Sequence, residues 1–315
     1  MPAIALEELS KQYGGVTAVD DLTLTIPEGE VFGFLGPNGA GKSTTINLML
    51  DFIRPTGGRV VVLGMDAQED PVDIRRRVGV LPEGYGFEDE LVGREYVDWA
   101  IETKEADDDP ERLIERVGLE GAADRPARAY SKGMQQRLAF AMALVGDPDL
   151  LILDEPSTGL DPNGMQQIRE VIRERAADGT TVFFSSHILS EVQAVCDRVG
   201  ILNEGRLVAV DSIEGLRQAN GGQATIRLVC ASPPTDLEVG TLDGVVEVAV
   251  DGHTLEVTCT DSTAKVAVVT HVAERVEIVD ILSETVHLET LFAELTTGHT
   301  ERDSTVDRAP VEATE

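Results

Sequence analysis

Gly36-Pro37-Asn38-Gly39-Ala40-Gly41-Lys42-Ser43-Thr44 is the stretch from which the rest of this 315-residue chain can be read. It has the spacing G-x-x-x-x-G-K-[S/T] of a phosphate-binding loop. Before it runs Val31-Phe32-Gly33-Phe34-Leu35, an apolar run of strand length, and after it Thr45-Ile46-Asn47-Leu48-Met49-Leu50, which predicts the first turns of a helix. A strand, a glycine-rich turn and a helix start aim successive backbone N–H groups into one concavity, and the helix N-terminus adds positive partial charge. The glycines leave room for phosphate and permit the backbone angles. Lys42 would reach the β- and γ-phosphates, and the Ser43 hydroxyl would ligate Mg²⁺.

Further along, Leu150-Leu151-Ile152-Leu153 reads as a strand buried on both faces, as in a parallel sheet. Its carboxyl end presents Asp154 and Glu155 at the edge where open α/β sheets bind ligands. Asp154 would hold the Mg²⁺ shell. Glu155 would polarise the attacking water, as general base or as orienter. An acidic turn after a strand is the plainer reading, and the upstream loop argues against it.

Three more segments extend the pattern. Tyr130-Ser131-Lys132-Gly133-Met134-Gln135-Gln136-Arg137 opens a helical run with Ser131 as N-cap. Ser157-Thr158-Gly159-Leu160-Asp161-Pro162 is a tight turn into another helix. Thr181-Val182-Phe183-Phe184-Ser185-Ser186 is a second buried strand, and His187 ends it. A lone histidine at a strand end is more often structural, but this one follows a strand directed to the same edge as Glu155, which favours a functional role.

From about Ile4 to about Leu216 the chain resembles the ATP-binding subunits of ABC transporters. The motifs follow that family's order: Walker A at 36–44, signature at 130–134, Walker B at 150–155, D-loop at 157–162 and switch histidine at His187. The resemblance implies a P-loop NTPase of ABC type, with ATP and Mg²⁺ as cofactors. Its α/β fold would carry a mainly helical insert at about 84–146 and a small C-terminal α+β domain. Tyr13 falls on the aromatic position that stacks on adenine. Gly36, Pro37, Asn38, Gly39, Ala40, Gly41, Lys42, Ser43 and Thr44 would bind the nucleotide of their own subunit, and Ser131 and Gly133 that of the opposite one. Asp161 joins Glu155 and His187 in the catalytic group. Partners would be a separate transmembrane permease and a second nucleotide-binding domain, most simply another copy of this chain, at the cytoplasmic face of the cell membrane.

Two motifs depart from the commonest family pattern. The signature reads Tyr130-Ser131-Lys132-Gly133-Met134 where Leu-Ser-Gly-Gly-Gln is usual. The Q-loop, after Val78-Gly79-Val80-Leu81-Pro82, has Glu83 in place of glutamine. A carboxylate there can ligate Mg²⁺ but donates no hydrogen bond when ionised. Both changes resemble the subfamily that serves ABC-2-type permeases, which favours export.

Composition limits the alternatives. No stretch of 18 or more apolar residues occurs, so no membrane-spanning helix is expected, and no signal peptide opens the chain. Cys196, Cys230 and Cys259 are scattered without metal-ligand spacing, as expected of a reducing compartment. Aspartate and glutamate number 57 against 26 lysine and arginine, a net charge of −31. Two of the five lysines, Lys42 and Lys132, lie in nucleotide motifs. Acids spread along the whole chain fit adaptation to molar salt, where the Debye length is about 3 Å and self-repulsion is screened. The profile resembles proteins of halophilic archaea; a cationic partner is the other reading. A nucleic-acid partner is not expected, because polyphosphate binding needs a basic surface. A soluble ABC ATPase acting on ribosomes or DNA is the alternative function. Such proteins usually carry two ATPase units or a coiled coil, and this chain has one unit and no heptads. A P-loop kinase would leave the signature and His187 unexplained.

The expected organisation is a nucleotide-binding domain over 1–218, a linker at 219–223, an accessory domain over 224–298 and a disordered tail over 299–315. Val245–Val250, Asp251-Gly252 and Thr254–Thr258 predict a hairpin. A strand is expected at 276–281, and a helix over 287–295 with Leu288, Leu291, Phe292 and Leu295 on one face.

Overall fold

The computed structural model describes residues 1–219, 224–234, 237–260 and 262–285. The chain divides into two compact units, Met1–Ser212 and a second beginning at Ile213. The expected helix over 287–295, the tail over 299–315 and most of the expected linker lie outside the described residues.

Two sheets organise the first unit. Strands β1 (Pro2–Tyr13), β2 (Val16–Pro27), β4 (Gly57–Val62) and β5 (Met65–Asp66) form an antiparallel sheet in the order β2-β1-β4-β5. Strands β3 (Val31–Leu35), β6 (Val78–Leu81), β7 (Leu150–Asp154), β8 (Thr181–Ser186), β9 (Arg198–Asn203) and β10 (Arg206–Ser212) form a second sheet in the order β10-β9-β3-β8-β7-β6. This sheet is parallel except for β10, which pairs antiparallel with β9. Every residue of β3, β7 and β8 is buried. That is why their sequences read as unbroken apolar runs rather than alternating ones. Phe183 packs between Phe32, 6.2 Å away centre to centre, and Phe34, 5.1 Å away. These rings join a core shared with the antiparallel sheet through Ile4, Leu22 and Val62.

Helix α1 (Lys42–Met49) follows β3, α2 (Pro71–Arg77) precedes β6, and α3 (Gly93–Lys104), α4 (Pro110–Arg116) and α5 (Lys132–Ala143) form the mainly helical stretch between β6 and β7. Helices α6 (Pro162–Ala177) and α7 (Leu189–Val195) link β7 to β8 and β8 to β9. Lys104 fastens the end of α3 by donating to the carbonyls of Val78 and Val145. Burial holds its ammonium below the usual lysine range.

The second unit contains α8 (Ile213–Ala219), β11 (Ala224–Cys230), β12 (Val245–Asp251), β13 (Thr254–Cys259), α9 (Ser262–Ala273) and β14 (Ile278–Thr285). Its antiparallel sheet runs β12-β13-β11-β14. The β12–β13 hairpin turns at Gly252 (φ 58°), as its sequence predicts. Ile226, Leu228, Leu255 and Val257 pack with Val268 and Val272 of α9. Helix α9 and strand β11 were not among the elements read from the sequence.

Candidate active site

Parallel strands bring the expected residues to one edge. Leu35, Ser186, Asp154 and Leu81 end β3, β8, β7 and β6, so the segments carrying Gly36, His187, Glu155 and Glu83 leave the sheet side by side. The loop Gly36–Thr44 is tied back to the sheet by the Gly36 N–H, which donates to the Ser186 carbonyl at 3.2 Å. Gly41 sits at the N-cap of α1 with φ 108°, and a Cβ there would meet the Ala18 carbonyl at 2.4 Å. Only glycine meets both demands. The first N–H groups of α1 have no acceptor within the helix. They face a cavity of about 380 Å³ lined by Ala18, Asn38, Gly39, Gly41 to Thr44, Glu83 and Glu155. This is a cradle for phosphate, and Ala18 is a wall that no motif marks.

Glu155 is the hub of the cavity. It is buried at 4 % exposure and holds φ 48°, a left-handed conformation that costs a residue with a Cβ roughly 1–2 kcal/mol. Its Oε1 lies 3.2 Å from the Lys42 ammonium, and its Oε2 lies 2.8 Å from His187 Nδ1. Lys42 also donates to the carbonyls of Gly36 and Pro37, at 2.8 and 3.3 Å. Oε1 accepts no well-directed hydrogen bond among the described residues. A buried carboxylate oxygen short of a donor, facing a cavity, can accept from a water placed there. Phosphate oxygens would compete with Glu155 for Lys42 and leave that carboxylate freer to do so. Asp154 is buried beneath this layer, and the Ser185 hydroxyl donates to its Oδ1. The hydroxyl of Ser43 and the carboxylate of Glu83 in the lining, and that of Asp154 behind Glu155 and outside the lining, are hard oxygen donors of the kind Mg²⁺ takes.

Other expected residues stand apart from the cavity lining. Ser131 caps α5, accepting from the Met134 N–H at 3.3 Å. A Cβ on Gly133 would meet the Gly159 carbonyl at 2.8 Å, so the start of α5 rests on the turn after Glu155. Asp161 caps α6, accepting from the Gly164 N–H at 2.8 Å. Tyr13 is 49 % exposed near the tip of the β1–β2 hairpin, with the Lys11 ammonium 4.9 Å from its ring centre. Tyr130, the first departure in the signature, is buried and donates its hydroxyl to the Ala122 carbonyl at 2.6 Å. Burial pushes its phenol up.

Two buried polar residues were missed. Gln136 donates to the carbonyls of Glu155 and Pro156, at 3.4 and 3.2 Å, and ties α5 to the strand end. Glu191 accepts from Ser157 and Ser186. A glutamine one turn into the signature helix was the only available hint of the first.

Residues 19–158 match the family model described as ABC transporter. The chain is 40 % identical over 223 residues to the bacitracin transport ATP-binding protein of Bacillus licheniformis, covering 69 % of this chain and 72 % of that one. It is 39 % identical over 228 residues to the daunorubicin/doxorubicin resistance ATP-binding protein of Streptomyces peucetius, covering 70 % and 68 %. An ABC transporter ATP-binding protein of Nostoc is 43 % identical over 64 % of this chain, which spans 62 % of that relative's length. Among solved structures, an ATP-binding subunit of an ABC transporter superposes with TM-score 0.64 at 29 % identity, covering 70 % of this chain and 93 % of that one. A bacterial ABC transporter cassette in dimeric form gives 0.62 at 26 %, covering 67 % and 98 %. The chain belongs to the ABC transporter family, as one of its ATP-binding, ATP-hydrolysing subunits.

Proposed function

We propose that this chain is half of a composite ATPase that drives a separate membrane-spanning permease. The observation that carries this reading is a division of labour. Lys42 and Glu155 line one cavity and His187 contacts Glu155, while Ser131 and Gly133 shape a separate helix start, outside both that lining and these contacts. A second copy would close the cavity with its own signature. Within each site, the loop from Gly36 to Thr44 holds the phosphates and Tyr13 stacks on adenine. Glu155 takes or orients the proton of the attacking water, His187 steadies Glu155, and Asp161 meets the neighbouring subunit. Ser43, Asp154 and Glu83 would hold Mg²⁺, which when bound offsets charge developing on the phosphates. Among the described residues no helix is long and apolar enough to cross a membrane, which supports a peripheral place beside a permease. The relatives named for bacitracin transport and for daunorubicin/doxorubicin resistance support an ABC-2-type export role at the cytoplasmic face. The dispersed charge of −31 supports salt adaptation of halophilic kind, and argues against a nucleic-acid partner. The described residues from Ile213 onward are proposed as an accessory module that adds stability or dimer contacts.

Mixing inactive Lys42→Ala and Ser131→Ala chains in equal amounts tests the shared site. One composite site in the mixed dimer then keeps both an intact loop and an intact signature, and ATPase activity should reappear. No recovery, with dimers present, would overturn the composite site.

A further inference from the structure

Glu191 lies in the first turn of α7, four residues past His187, and is 4 % exposed. A buried carboxylate is costly unless something compensates it. Its recorded partners among the described residues are two hydroxyls and no cation. Ser157 and Ser186 both donate to its Oε2, at 2.6 and 2.8 Å. Ser157 opens the turn two residues after Glu155. Ser186 ends β8 immediately before His187, accepts the Ile188 N–H on its hydroxyl at 3.0 Å, and accepts the Gly36 N–H on its carbonyl. One carboxylate oxygen therefore fastens the two chain segments that carry Glu155 and His187, and through Ser186 it reaches the mouth of the phosphate loop. Packing does not call for a charge here. The wall beside Glu191 includes Leu160, Met165, Ile168 and Phe184; Arg169 lines it too, without forming an ion pair with Glu191. A leucine of similar volume could fill the site, but it would leave the Ser157 and Ser186 hydroxyls without this acceptor.

We propose that Glu191 is a positioning residue for hydrolysis: by holding Ser157 and Ser186 on one oxygen it sets the 2.8 Å contact between His187 and Glu155. The proposal rests on the reading that Glu155 acts on the attacking water with His187 beside it. It also gives the turn at Ser157, where a second subunit would dock, a route to His187 through the Glu191 and Ser186 side chains and the peptide bond after Ser186.

The test uses the full chain, with turnover at saturating ATP, ATP affinity and melting temperature measured together. Glu191→Leu should lower kcat by about tenfold to a hundredfold, the range for a misplaced reacting group, with affinity unchanged and a drop in melting temperature small enough to leave the chain folded at the assay temperature. Glu191→Gln keeps an acceptor oxygen and should retain most of the rate. Wild-type turnover in the leucine variant, or a loss that merely follows a lower melting temperature, overturns the proposal. Should the leucine variant not fold, Ser186→Ala leaves the carboxylate in place and removes one tie. It should slow turnover, and full activity in the Ser157→Ala/Ser186→Ala double variant is equally fatal. In a His187→Ala background, Glu191→Leu should add little, because both act through one contact. Multiplying losses would mean that Glu191 acts elsewhere. A His187→Ala chain with normal turnover would instead refute the role given to His187, and that result is read without any change at Glu191.

Discussion

The ends of β7 and β8 and the starts of α5 and α6 belong to the same unit, yet they use their polar groups in opposite ways. At the strand ends, Glu155 contacts both Lys42 and His187 beside a cavity, and holds a left-handed backbone there. At the helix starts, Ser131 and Asp161 turn back on the N–H groups of Met134 and Gly164. The first region is a site assembled within one chain. The second is a capped edge whose Ser131 and Asp161 lie outside the lining of that cavity. The difference teaches that a capping side chain can be fully satisfied within its chain while the helix start it shapes serves another one. The sharpest way to break the comparison is Glu155→Gln, which keeps the shape of the assembled site and removes its base. Turnover should fall by about 10² or more while ATP binding persists and an ATP-bound dimer accumulates. Near-normal turnover would remove Glu155 from its role.

Salt tests both regions at once. Two copies that share a site each carry −31, so their association is opposed at low ionic strength, where the Debye length is about 30 Å at 0.01 M. Turnover per chain and melting temperature should both climb with KCl into the molar range. Equal stability in dilute buffer and in molar salt would favour the cationic-partner reading of the acidic surface.

At Ser131 the two duties separate. Ser131→Ala loses the cap, about 1 kcal/mol, or roughly 2–4 °C for a chain of this size. It should also lose the activity of the site it closes. Ser131→Asn keeps capping ability and should recover the melting temperature but not the turnover. Recovery of both would mean that the cap alone matters and that the helix start has no part in the partner's site.

How much of this was legible follows from what each element buries. Strands β3, β7 and β8 are buried along their whole length, so their sequences are unbroken apolar runs ending in the polar groups of the site. Ser131 announced its helix because an N-cap is a local device. Gln136 and Glu191 were invisible because Glu155, Pro156 and Ser157, which they tie down, lie 19 to 34 residues away in the chain, and only Ser186 is near Glu191 in sequence. Helix α9 hid for another reason. Val266, Val268, Val269, Thr270 and Val272 are β-branched, favour strands and leave no single apolar stripe. Tertiary packing of Val268 and Val272 against the sheet outweighs that local preference. Nothing in a glutamate's identity foretells the left-handed backbone of Glu155, which follows from its place between β7 and the turn at Ser157.

The smallest expected effect belongs to Glu83, which lines the cavity from the exposed segment after β6 and so sits at the rim of the assembled region. An ionised carboxylate there offers the metal an extra oxygen but sets one more negative charge beside a triphosphate. Its attraction to Mg²⁺ and its repulsion from phosphate oppose each other, and exposure to water screens both. Glu83 should therefore engage when Mg²⁺ is bound and contribute little without it. Glu83→Gln keeps the size and an acceptor oxygen while removing the charge. It should leave the fold and basal ATP binding intact and flatten the dependence of ATPase rate on Mg²⁺ concentration. The midpoint should move by less than the roughly 10–100-fold that losing a well-ordered outer-shell partner costs. Stimulation by the permease should change as well, because this segment leads from the nucleotide cavity into the helical stretch. ATPase curves against Mg²⁺ for both proteins, with and without permease, decide the matter: superimposable curves would mean that the charge at Glu83 is incidental to coupling.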